Sequence, residues 1–216
     1  MRLSITTVEA FRLWRDTGDW MALETLEAQI RREAPQTEKM LRGIAFHAIL
    51  EHPQACREET PFGVQYRVGA RDGTKEFVFA GEGIDLVLTH WPTGGSPEVK
   101  STVDVDGITL VGVADALWAN EVYEAKCTEK IDVDNYFESF QWRALLKLYN
   151  ATVARYVLAQ GRDTGGRFIV IDSDGVLPLP IYRYPKLDED VRRLTLECAD
   201  FVVKRNLESY VQEQAA

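Results

Sequence analysis

Apolar residues in the first part of the chain recur three or four positions apart. Over residues 4–33, Val8, Phe11, Leu13, Trp14, Trp20, Leu23, Leu26 and Ile30 keep a helical spacing that breaks only around Thr17-Gly18-Asp19. Pro35 closes that region. A second helical pattern, with Met40, Leu41, Ile44, Phe46, Ile49 and Leu50, runs from about Gln36 to Glu51 and stops before Pro53. The period then shortens. Residues 62–69 and 75–80 read as a hairpin closed by Arg71-Asp72-Gly73, with Phe77 and Phe79 on one face, and residues 82–91 read as a further strand. Pro92-Thr93-Gly94-Gly95-Ser96-Pro97 is loop chemistry. Strands are expected at about 102–118 and 121–127. A helix follows from about Asn135 to Leu158, its stripe made by Phe140, Leu145, Leu148, Val153 and Val157. A late hairpin spans about Arg167 to Tyr184, turning at Asp172-Ser173-Asp174-Gly175. A closing helix from near Leu187 carries Val191, Leu194, Leu196, Phe201 and Val202.

This order, with helices first, then strands, a helix, a hairpin and a helix, predicts an α/β fold with one central mixed β-sheet flanked by helices. The length suits one domain over residues 1–216: a helical part (1–60), a core (61–160), and a hairpin with the closing helix (161–216). With 45% hydrophobic and 27% charged residues the composition is that of an ordinary globular protein. No apolar run approaches the roughly 18 residues of a membrane span, and the first residues lack the apolar core of a signal peptide. A cytoplasmic location with no membrane partner is therefore expected. Cys56, Cys127 and Cys198 lie far apart, without CxxC spacing, which speaks against a disulfide framework or a structural zinc site. The formal charge, 25 − 34 = −9, lowers the expectation of nucleic-acid binding without excluding a local basic surface.

The stretch Leu110 to Lys126 carries the chemistry. A hairpin centred on Ala119-Asn120 pairs residues whose numbers sum to 239, which sets Asp115 opposite Glu124 and, by period-two alternation, Lys126 on the face of Glu124. Facing carboxylates repel, and such a pair is destabilising. A divalent cation between them reverses the sign, and Mg²⁺ (or Mn²⁺) suits oxygen donors while keeping waters for chemistry. Lys126 is then placed to orient or help deprotonate a water and to offset charge building on a phosphate. Gly112, Ala114, Ala116 and Ala125 make the opposite face small enough for a helix to approach. Exposed hairpin charges are the plainer reading, since Glu-x-Lys alone is a weak signal. A second triple, Asp85 with Glu98-Val99-Lys100, spells the same pattern, but it follows loop-forming residues and is ranked lower.

These residues resemble the PD-(D/E)XK nucleases, and within them the RecB-like branch. Gly112-Val113-Ala114-Asp115 looks like that branch's Gly-x-x-Asp motif, and Glu124-Ala125-Lys126 like its acidic-x-Lys motif. Arg42-Gly43-Ile44-Ala45-Phe46-His47 is similar to its first-motif helix, and Gln141 stands 15 residues after Lys126, as the branch's glutamine does. The opening Leu3-Ser4-Ile5-Thr6-Thr7 resembles the short Ser-containing start of many members. The resemblance covers about residues 3–150 and implies a restriction-endonuclease-like core. It also implies a Mg²⁺- or Mn²⁺-dependent deoxyribonuclease, a stand-alone exonuclease of phage or recombination type, with DNA as its partner. An endonuclease and a catalytically silent, protein-binding relative are the alternatives. Asp115, Glu124 and the Ala125 carbonyl are the expected metal ligands, with His47 as the extra one; on an amphipathic helix His47 alone would read as a core or boundary histidine. Glu51, one turn on, is read as solvent-facing. Gln141 is a candidate contact to the active-site backbone or DNA, with a surface amide as the alternative. Arg143 and Lys147, at i and i+4, form a candidate phosphate stripe or a solvated face. The family's tyrosine, four residues after the glutamine, is Leu145 here, which leaves Tyr149 as the candidate substrate contact. A single-strand annealing partner and a homo-oligomer stay open through the resemblance alone.

Overall fold

In the computed structural model, which describes residues 1–69 and 76–212, the chain opens with β1 (Arg2–Ser4), α1 (Ile5–Thr17), α2 (Trp20–Arg31), α3 (Glu38–Glu51) and α4 (Pro53–Cys56). Strands β2 (Arg57–Thr60), β3 (Gly63–Gly69) and β4 (Glu76–Ala80) follow, then α5 (Gly83–His90), β5 (Ser96–Val105), β6 (Ile108–Trp118) and β7 (Glu121–Thr128). The chain continues through α6 (Val133–Glu138), α7 (Phe140–Leu148), β8 (Val153–Asp163), β9 (Phe168–Tyr182), α8 (Leu187–Lys204) and α9 (Glu208–Gln212). Each of the first three helices starts on a side chain that accepts a backbone N–H: Ser4 from Thr7, Asp19 from Met21 and Thr37 from Met40. Gly18 and Arg32, both with positive φ, end α1 and α2 where the sequence placed the break and the approach to Pro35. Among the described residues no helix is long and apolar enough to cross a membrane.

The strands form one mixed sheet in the order β1-β6-β7-β8-β9-β4-β3-β2, with β5 also pairing β6. Pairings β1–β6, β7–β8 and β4–β9 are parallel and the others antiparallel. Alternate residues of β8 feed two cores, as the pleat requires. Ala154, Tyr156 and Leu158 pack with α1, α2, α7 and α8, whereas Val157 and Ala159 pack with α3 and α5. Helices on both sheet faces over two buried apolar layers match the expected fold class.

Several expected elements differ. Residues 82–91, read as a strand, form α5. The helix expected over Asn135–Leu158 ends at Leu148, and Val153 and Val157 belong to β8. Valines four apart satisfy helical and strand periods alike, and Asn150, with φ 49°, turns the chain between the two elements. The strand expected over 102–118 is two strands, β5 and β6, folded at Asp106-Gly107, both with positive φ. Glu98-Val99-Lys100, set aside as loop-like, lies inside β5. The late hairpin is instead one long strand, β9, whose antiparallel partner is β8. Its register shifts from Ala159↔Val176 to Gly161↔Ile171, so the turn residues Asp172-Ser173-Asp174-Gly175 are accommodated in a bulge. The turn Arg71-Asp72-Gly73 lies outside the described residues.

Candidate active site

β5 pairs with β6 from Ile108 to Leu117 and so takes one full edge of that strand. β1 and β7 therefore share the other edge. β1 pairs with Thr109–Val111 and β7 with Ala116–Trp118, leaving Gly112–Asp115 on that edge without a strand partner. The β6–β7 rungs keep the anticipated sum of 239 from Trp118↔Glu121 to Ala116↔Tyr123 and then give way to side chains. The Asp115 N–H donates to Glu124 Oε1 at 3.3 Å, and the Ala125 N–H donates to Asp115 Oδ2 at 2.9 Å. The two carboxylates thus sit where the strands part, each satisfying a backbone donor that the interrupted ladder would leave unpaired.

Lys126 occupies the space between them. Its Nζ lies 2.9 Å from Glu124 Oε2 and 3.7 Å from Asp115 Oδ2. This corrects the expectation of two carboxylates repelling across a bare gap: without a cation, the ammonium already screens them. Gln141, in the first turn of α7, donates its Nε2 to Glu124 Oε2 at 2.5 Å, so it buttresses the acid. The Glu124 side chain is 1% exposed, against 17% for Asp115 and about a third for Lys126. Burial pushes the Glu124 carboxyl up to about 7, with the Lys126 charge pulling it back and Asp115 adding to the rise. Burial works against the Lys126 ammonium, but the charges of Glu124 and Asp115 outweigh it and hold its pKa above the usual lysine value.

His47 reaches this centre from α3. Its Nε2 is 2.9 Å from the Ala125 carbonyl oxygen and 3.4 Å from Asp115 Oδ2. Asp115, Glu124, the Ala125 carbonyl, His47 and Lys126 are therefore brought together. An oxygen-rich set with one imidazole suits a hard divalent cation. Among the described residues, however, no three His, Cys, Asp or Glu side chains already form a cage. Glu98 lines a cavity of about 370 Å³ together with His47 and Glu51. It lies on β5 where the rung to Asp115 is missing, with φ 45°. Glu51, read as solvent-facing, lines that same cavity. The rest of the second triple is dispersed: Asp85 accepts from the Tyr66 hydroxyl, and Lys100 is exposed on β5.

The small residues do their work on two faces rather than one. A methyl group on Gly112 would come within 2.2 Å of Ile5 Cδ1 and 2.6 Å of Leu148 Cδ1, so α1 and α7 approach β6 at a residue without a side chain. Ala114 is buried in that same core, whereas Ala125 packs in the core beneath α3, and Ala116 lines a cavity with Leu50 and Trp91.

Three anticipated substrate contacts are engaged elsewhere. The Tyr149 hydroxyl donates to the Val99 carbonyl and accepts from the Ala114 N–H at 3.2 Å, pinning β5 to β6 beside the missing rung. Main chain, rather than open solvent, thus surrounds that hydroxyl. Arg143 donates to the carbonyls of Glu138 at 2.7 Å, Ser139 at 2.5 Å and Phe137 at 3.0 Å, closing the end of α6. Lys147 pairs with Asp188 at 3.1 Å. The i,i+4 stripe is therefore committed to intramolecular partners. One residue near the centre had no sequence signal: Tyr156, beside Glu124 on β8, is buried with its hydroxyl lacking a partner. That lack of a partner holds among the described residues, and Tyr156 lies in the segment that read as helix.

No protein-family model matches the chain, and no curated protein matches it. Among solved structures, the chain is similar to an alkaline exonuclease (LHK-Exo) from Laribacter hongkongensis. The identity is 13% and the TM-score 0.51, over 99% of this chain and 91% of that one. The same exonuclease in complex with dAMP aligns at a TM-score of 0.52 and 13% identity, over 98% and 90% of the two chains. A structure designated SSO0001 aligns at 14% identity and a TM-score of 0.49, over 93% and 76%. At 13% identity the likeness to the exonuclease is one of fold.

Proposed function

We propose that this protein is a metal-dependent deoxyribonuclease of the PD-(D/E)XK class that degrades linear DNA as an exonuclease. The observation that carries the reading is the convergence of Asp115, Glu124 and Lys126 at the parting of β6 and β7, with the Ala125 carbonyl and His47 alongside. The shared fold with an alkaline exonuclease supports it.

Asp115, Glu124, the Ala125 carbonyl and His47 would hold Mg²⁺ or Mn²⁺. Such a cation supplies Lewis-acid polarisation of the phosphoryl group and acidifies a bound water. Lys126 turns an ammonium toward the same space, where it orients the attacking water and offsets charge on the phosphoryl oxygens. Gln141 holds Glu124 in one rotamer, and Ser139, whose Oγ accepts the Gln141 N–H at 3.0 Å, fixes the start of α7 beneath it. In this reading the partner is DNA.

Linear and covalently closed DNA, each incubated with Mg²⁺ and with a chelator, test the proposal on a gel. Metal-dependent loss of the linear form alone is expected. Cutting of closed circles would assign an endonuclease instead, and no cleavage of either would overturn the nuclease reading.

A further inference from the structure

Arg42 lies on the sheet-facing side of α3 with Ala45, Phe46 and Ile49, all buried, and is itself only 5% exposed. Its guanidinium has five N–H donors in a rigid fork. Among the described residues the Nε has no hydrogen-bond partner, and the one carboxylate within ion-pair distance is Glu129, 3.4 Å from NH2. That contact is long for a charge-assisted bond, and the Glu129 side chain is 62% exposed, where an ion pair is worth little. Burying a cation costs several kcal/mol unless it is well paired. The site therefore holds a charge that the folded chain leaves under-partnered.

Its location is what gives that charge a use. Arg42 precedes His47 by five residues on one helix, about 7–8 Å along the axis. Glu129 follows Lys126 by three residues at the end of β7. The guanidinium thus lies between the same pair of elements, α3 and the end of β7, that carries His47 and Lys126, about one and a half helical turns from the imidazole. A phosphodiester is the anion that matches a planar fork bidentately.

We propose that Arg42 binds a backbone phosphate of the substrate flanking the one being hydrolysed, and that Glu129 occupies the fork in the absence of DNA. The proposal rests on the nuclease reading of the adjacent centre. Glu129 then acts as an internal competitor: the incoming phosphate displaces it, and the exposed carboxylate swings into solvent.

Arg42→Met separates this from a structural role, because it removes a buried, poorly paired charge while Glu129, 62% exposed, is left in solvent rather than as a buried unpaired charge. Its melting temperature should match or exceed that of wild type. Its KM for linear DNA should rise about 10- to 100-fold, the range for losing a hydrogen bond to a charged group, with kcat within a few-fold. In chelator, anisotropy titrations with a labelled linear duplex should show the slope of log affinity against log salt falling by about 0.7–0.9, one phosphate contact. Glu129→Gln should bind DNA more tightly than wild type with the salt slope retained. Arg42→Lys, with charge but no fork, should have an intermediate KM and serves if the Met variant does not fold. An unchanged KM and salt slope in Arg42→Met, or weaker binding by Glu129→Gln, would overturn the proposal while leaving a cleaving wild type as a nuclease. A wild type that neither binds nor cleaves DNA would overturn both.

Discussion

Metal affinity at the proposed centre should depend on pH through Glu124. Its side chain is almost wholly buried, and burial raises its carboxyl to about 7 in the metal-free protein. A cation binds the ionised form, so binding must expel whatever proton that carboxyl holds. A group titrating near 7 is roughly nine-tenths ionised at about pH 8 and roughly one-tenth ionised at about pH 6. The apparent affinity for Mn²⁺ should therefore fall about tenfold between those values, worth about 1.4 kcal/mol. The protons released per ion bound should rise from about 0.1 to about 0.9 over the same interval. Calorimetric titration with Mn²⁺, in pairs of buffers with different ionisation enthalpies, reads both quantities. The same shift has a stability sign. The folded value lies above the ordinary 4.5, so the Glu124 contribution is intact below about 4.5 and is lost as pH rises through about 7. Metal-free melts should decline across that window by up to about 3 kcal/mol. His47 is the other side-chain candidate for the cation besides the two acids, and His47→Ala should keep the affinity slope. An affinity flat from pH 8 to pH 6, or a slope abolished in His47→Ala, would refute the assignment to Glu124.

Asp115→Asn, Glu124→Gln and Lys126→Ala should each abolish metal-dependent cleavage in gel assays while circular dichroism shows a folded protein; Lys100→Ala, exposed on β5, should stay active. Tyr149→Phe should lower stability by about 1–3 kcal/mol, because it leaves the Val99 carbonyl and the Ala114 N–H unpaired. A rise in KM with an unchanged melting temperature would instead make Tyr149 a substrate contact. Gly112→Ala forces a methyl into Ile5 and Leu148. Overpacking of that kind costs about 1–3 kcal/mol, which differential scanning calorimetry should register as a fall of roughly 2–12 °C; an unchanged melting temperature would show that both side chains yield freely.

What the sequence revealed and what it hid divide on physical lines. Helices with strong periodicity and side-chain caps, such as α1 and α3, were legible, and so was the β6–β7 register, because a short hairpin fixes its pairing arithmetic. β8 was hidden because its valines fit two periods and its neighbour α7 ends without a proline. α5 was hidden because Gly83-Ile84-Asp85-Leu86-Val87-Leu88 is equally apolar as a strand. In the site, Asp115, Glu124 and Lys126 were placed together by the hairpin register and period-two alternation. The engagement of Lys147 and Tyr149 by Asp188 and Val99 depends on contacts between distant segments that no local pattern encodes, and Arg143 folds back on carbonyls only four to six residues away because α6 ends there. Glu98 was set aside with the second triple, although the interrupted β5–β6 rung brings it to the cavity that His47 lines.

Helix α7 touches the centre at both of its ends. Gln141, in its first turn, bonds Glu124, and Tyr149, at its C-terminal cap, bonds the strand just before Asp115. The two strands that carry the acids are thus tied to one rigid rod, and the rod's length fixes how far apart they stand. Adding or removing a single residue within α7 would rotate one anchor against the other by about 100°, so that Gln141 and Tyr149 could not both reach their partners. The connection Thr164-Gly165-Gly166 between β8 and β9 carries neither of these anchors and can change in length. Over evolutionary time, then, α7 should admit changes of residue type at its exposed positions but not changes of length, and its span can serve as a ruler for recognising the same centre in chains whose motifs have drifted.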